Sequence, residues 1–159
     1  MAVRLFASLA AGFGASMVVA MLIGVPVFLS LSRSPSPTPQ WAPRLMIAGA
    51  LVIVPVAFGI AAGAVGALLR APASGVASLS AAALVLSQTL FVVRMSLRPG
   101  GPSIATSVPA NLLFFGLPQA ALAGICAWLV HFLIQQRRDR AALSALHSPS
   151  PADLRRPEA

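Results

Sequence analysis

The feature that most restricts this chain is a set of four apolar runs, at about residues 5–31, 45–69, 76–95 and 110–135, bounded by arginine, proline and glycine. At 1.5 Å per residue, about 20 residues of helix cross the 30 Å hydrocarbon core of a bilayer. Each run reaches or approaches that length. Inside lipid the backbone finds no water, so such a run must close its own hydrogen bonds as helix. The expected fold is an all-α membrane protein, a four-transmembrane-helix antiparallel bundle. Residues 1–135 form its single transmembrane domain, and residues 136–159 form a basic cytoplasmic tail, helical at first and disordered after.

Composition agrees: 58% of residues are hydrophobic and 9% charged, against about a quarter charged in soluble domains. All eleven basic residues are arginine, and the only acids are Asp139, Asp153 and Glu158, so the apolar runs hold no carboxylate. The net charge of +8 is thus carried at the edges of the runs, where orientation signals belong. The bilayer, and not a nucleic acid, is the expected partner. With the N-terminus inside, Arg4, Arg70, Arg137, Arg138 and Arg140 face inward and Arg33, Arg44, Arg94 and Arg98 outward, with Arg155 and Arg156 adding to the inner side. Both termini are expected inside. The arginine-only, alanine-rich usage suggests a bacterial chain, hence the cytoplasmic (inner) membrane. The first run is too long for the 7–15-residue apolar core of a signal peptide and reads as an uncleaved helix.

The ends of the runs carry their own instructions. Arg94 and Arg98 precede Pro99, Gly100, Gly101 and Pro102, which stop a helix; their long stems can stay in lipid while the guanidinium reaches the head groups. With Trp41, Trp128, Arg137 and Arg138 they form the expected interface anchors. Prolines at 35, 37, 39 and 43 predict a stiff, extended outer loop. The short link at residues 70–75 predicts that the second and third helices are antiparallel neighbours.

Two patterns mark candidate sites. Small residues recur every four positions, notably Gly12 and Ser16, Gly59 and Gly63, and Gly116 and Gly124. In lipid, such faces let helix backbones approach closely, so they are expected packing surfaces toward the chain itself, a homo-oligomer or a larger membrane-protein partner. The second pattern is a polar layer of Pro55, Gln88, Pro118 and Gln119, at one depth when counted from the helix ends. Each proline removes a helical hydrogen bond, leaving the carbonyls of Leu51 and Phe114 short of a donor that the glutamine amides could supply.

Little else offers chemistry. Cys126 reads as a small buried residue, His131 as interfacial, and Met17 with Met21 as a packing pair. The spacing of Cys126 and His131 does not aim both at one metal, so no cofactor is expected. The runs hold no Asp, Glu or Lys, no phosphate loop and no hydrolytic set. A non-enzymatic accessory or assembly subunit that packs through its Gly/Ala faces is the leading expectation. The alternative is a small-solute or anion transporter or channel subunit built on the Gln88/Gln119 layer.

Overall fold

The computed structural model describes residues 1–33 and 41–147, and every element among them is helical. These are α1 (Ala2–Arg33), α2 (Trp41–Ala48), α3 (Val54–Leu68), α4 (Ala73–Ser96), α5 (Ile104–Asn111) and α6 (Leu117–His147). A π-helical turn, Gly49–Ile53, joins α2 to α3 without a break, and a second, Leu112–Gly116, joins α5 to α6. Four continuous rods result. Within them Ala2–Leu29, Met46–Leu68, Ala73–Ser96 and Ile104–Ser144 are long and apolar enough to cross a membrane. The proline-rich segment 34–40, the Trp41 side chain and the tail from residue 148 lie outside the described residues.

The fourth rod begins earlier than the expected residue 110, and past 135 it continues as the helical start expected of the tail. Its N-terminal extension begins after Ser103, which stands in extended conformation at the cap. Its C-terminal extension runs through Gln135–Leu146, a stretch rich in arginine, alanine and leucine, all strong helix formers. Hydropathy locates where a helix is apolar, not where it ends.

The second half of the chain repeats the plan of the first. Trp41, Gly49, Val54 and Pro55 begin α2, the first π-turn, α3 and its proline; Ile104, Leu112, Leu117 and Pro118 do the same, each 63 positions later. The preceding helices, α1 and α4, end at Arg33 and Ser96, again 63 apart. Packing follows the same plan: α3 and α6 form the central pair, α1 packs on α3, and α4 packs on α6. The fold is two helical hairpins joined through the rods that carry the π-turns.

Small residues decide how close these rods come. A methyl built on Gly59 would collide with the Ala123 carbonyl and lie 2.8 Å from Cys126 Cβ; one on Gly63 would collide with the Ala127 backbone. Residue numbers rise together along this seam, so α3 and α6 run parallel. On the other side of α3, Phe58 is fully buried, with Gly12 making room for it and Phe13 meeting it edge-on at 5.1 Å. Gly49 faces Ile23 and Gly66 faces Ser8, so numbers rise along α1 as they fall along α3. Lipid gives little reward for hiding leucine; accordingly Met17, Met21, Leu22 and Phe28 on α1 are all more than half exposed.

The end of α3 is closed by hydrogen bonds. Ala71 N–H reaches back to the Gly66 carbonyl at 2.9 Å and Arg70 N–H to that of Ala67 at 3.2 Å, the two-bond Schellman closure. This requires Arg70 to adopt a left-handed φ of 54°. The Ala67 carbonyl also accepts from Arg138 Nη1 at 2.9 Å and Gln135 Nε2 at 3.3 Å. A guanidinium here meets the negative end of the α3 dipole and fastens the two central rods together.

Candidate functional site

The π-turns determine which carbonyl each proline leaves unserved. In the first, the Val54 N–H donates to Gly49 O, five residues back. The next bond in that register would join residue 55 to Ala50 O, but residue 55 is proline and has no N–H. Ala50 O is therefore left without that bond, one position before the Leu51 O that an α-helical register points to. Gln119 Nε2 supplies the missing donor at 3.1 Å. Gln119 Oε1 in turn accepts from Gln88 Nε2 at 2.9 Å. The resulting relay runs from α4 through α6 to the π-turn ahead of α3, and so ties three rods together.

The second π-turn has the same register, with Leu117 N–H donating to Leu112 O. By the same count Pro118 leaves Leu113 O without its bond. Among the described residues no side-chain amide bonds to it, and the position matching Gln119 in the first half is Val56. Pro55 is buried whereas Pro118 is exposed, so the expected four-residue layer reduces to Pro55, Gln88 and Gln119. Gln119 is 4% exposed and Gln88 half-buried.

A cleft of about 580 Å³ opens beside this relay, lined by Ala50, Leu51, Gln88 and Gln119 together with Ile47, Ser87, Asn111 and the rings of Phe91 and Phe115. None of these residues is charged. The Asn111 Oδ1 is buried without a hydrogen-bond partner, so no protein bond fixes which end of that amide faces the cleft. Asn111 could not be singled out from sequence: it lies at the edge of an apolar run, where a polar residue reads as a helix boundary. The useful signal would have been the equal placement of Pro55 and Pro118 inside two apolar runs.

The other expected positions fall in different places. Gly12, Gly59 and Gly63 are spent on contacts within the chain, and Gly124 lies in ordinary contact with Ala77 and Ala81 of α4. Ser16 is buried and bonds its own helix at Phe13 O. Gly116 is buried, but a methyl built on it would meet only Leu112 and Asn111 of its own rod, so its open side does not face the α3–α6 seam. His131, expected at the interface, is 5% exposed within the bundle with Nδ1 unpartnered, and α6 continues well past it. Met17 and Met21 face outward and do not pack within the chain. Arg94, Arg98 and Arg137 are exposed, Arg138 is exposed while bonding Ala67 O, and Trp128 is half-exposed and stacked on Phe132 at 5.6 Å.

No protein-family model, curated protein or solved structure matches the chain.

Proposed function

We propose that the chain is a non-enzymatic, multi-pass inner-membrane protein that passes a small neutral solute through the cleft between its two halves. One observation carries this reading: two π-turn and proline breaks stand at matching positions of the two halves, and an uncharged, amide-lined cleft lies beside them. Duplicated halves with interrupted helices at corresponding positions are how many transporters place a polar site between units that can rock. This likeness is one of architecture and implies no kinship.

The lining selects the solute's charge. An ion entering this cleft would shed hydration without meeting an opposite charge, at a cost of several kcal/mol or more. Arg94, the basis for expecting an anion, is exposed and lines no part of the cleft; Gln88 lies about 9 Å along the helix from it. The accessory-subunit expectation placed partner contacts on Gly/Ala faces, and two of its residues, Gly59 and Gly63, are consumed by α6. Association into a homo-oligomer or with a larger membrane protein would need another surface, such as the outward face of α1. Arg4, Arg70, Arg137, Arg138 and Arg140 support an antiparallel bundle in a bacterial inner membrane with both termini inside.

Osmotic swelling of vesicles containing the full chain tests this, with glycerol and urea as neutral probes and nitrate as the anion. Neutral-solute entry above that of protein-free vesicles is expected, lost in Gln88→Leu and Gln119→Leu at unchanged inserted protein and kept in Arg94→Leu. Nitrate entry that depends on Arg94, or no entry of either neutral probe, would overturn it.

A further inference from the structure

At the end of the molecule where α1 begins and α3 turns into α4, a second cavity of about 480 Å³ is lined by Met1, Arg4, Arg70, Ala71 and Pro72. It is unlike the amide-lined cleft in chemistry, because two exposed guanidinium groups from separate rods meet at it. Nothing of opposite sign is available to them nearby: the one acid among the described residues is Asp139, on α6. Two further cationic or donor groups, Arg138 and Gln135, stand beside the same turn, but both are already engaged with the Ala67 carbonyl. Arg4 and Arg70 are thus the unspent charges.

Residue 70 adds a second, independent reason to look here. It occupies the left-handed position of a Schellman closure, φ 54°, where glycine sits without strain and most side chains do not. Folding alone would favour glycine at this position, whereas arginine points a planar, two-pronged donor into the cavity mouth, suited to phosphate oxygens. The turn lies at the end of two apolar spans, which is the depth of lipid head groups.

We propose that Arg4 and Arg70 together form a binding site for the phosphate of an anionic phospholipid. The lipid's acyl chains would lie along the apolar flank of α1, and its phosphodiester would bridge α1 to the α3–α4 turn. The site is separate from the solute cleft and does not depend on it.

The test uses the full chain in vesicles of phosphatidylcholine, with and without phosphatidylglycerol, reading the thermal unfolding midpoint and the phosphatidylglycerol retained in native mass spectra. Wild type should gain stability with phosphatidylglycerol and retain it. Each arginine removed should weaken retention about fivefold, the effect of roughly one juxtamembrane charge. Arg70→Gly is the informative variant, since it should raise the midpoint in phosphatidylcholine alone, by relieving the left-handed strain, while losing the gain from phosphatidylglycerol. Arg4→Gln should lose that gain without the rise. Arg98→Gln, at the opposite end, should behave as wild type. Equal loss in Arg98→Gln would reduce the effect to overall charge and overturn the site, as would unchanged retention in Arg4→Gln and Arg70→Gly. A midpoint gain of equal size from inorganic phosphate at matched ionic strength would overturn the lipid as its occupant.

Discussion

Gln119 is the residue on which most of the candidate site depends, because its amide works in both directions: Oε1 accepts from Gln88 and Nε2 donates to Ala50 O. Replacing it by leucine leaves a backbone carbonyl and a half-buried amide without partners, and an unsatisfied buried polar group costs about 1–3 kcal/mol. Gln119→Leu is therefore expected to destabilise the protein by about 2 kcal/mol, and Gln88→Leu by about half as much, since only one bond is lost and the position is half-buried. Denaturant titration in mild detergent, following helix content, measures both; equal penalties would mean that the Ala50 bond contributes nothing. Sequence could bring Gln88 and Gln119 to one depth, because depth is a count along a helix. It could not name Ala50 as the recipient, because the change from a four-residue to a five-residue bond register leaves no trace in hydropathy or residue type.

At the scale of helices, the π-turn and the proline act as one device. If Ala50 O is left unserved by Pro55, then Pro55→Ala restores an N–H that can serve it, and Gln119 becomes less important. The penalty for Gln119→Leu should shrink by about 1 kcal/mol in the Pro55→Ala background, measured as the coupling in a double-mutant cycle; additive penalties would separate the two residues. Small residues obey a similar logic of place. Gly59→Ala and Gly63→Ala push a methyl into the backbone of α6, and overpacking of this kind costs about 1–3 kcal/mol. Gly14→Ala and Gly24→Ala meet nothing within 4 Å, so they should be neutral or gain up to about 1 kcal/mol from better helix propensity. The same unfolding titration ranks the four variants, and comparable losses at Gly24 and Gly59 would mean that the α3–α6 seam is not as close as described. Periodicity identifies such stripes as a class, yet it gave Gly116 the same reading as Gly59. Only the neighbour across the gap distinguishes them, and a single helix's sequence does not contain its neighbour.

For the molecule as a whole, the number of spans could be read from the sequence because a span is a length of apolar chain, and lipid enforces that length. The order in which the spans pack could not, since apolar faces in lipid carry no strong preference for one another; the pairing of α3 with α6 is selected by glycines, a bifunctional amide and the arginine on Ala67 O. The 63-residue repetition is illegible in the sequence for a related reason, as its two copies share a plan of breaks more than a run of identical residues. Orientation is the property this arrangement makes testable. The 41-residue apolar helix Ile104–Ser144 would be about 60 Å long, twice the hydrocarbon core, so its ends must stand outside lipid. Arg140 then lies beyond the boundary marked by Arg138 at the end of α3, the inner one in the proposed orientation, and Arg98 beyond the opposite one. In a Cys126→Ala background, which keeps the Cβ that packs toward Gly59, a membrane-impermeant maleimide should label Arg98→Cys in intact cells and Arg140→Cys only after permeabilisation. The reverse pattern would invert the protein. Labelling of both in intact cells would mean that arginines at the two ends are too evenly matched to set one direction, and that copies insert both ways.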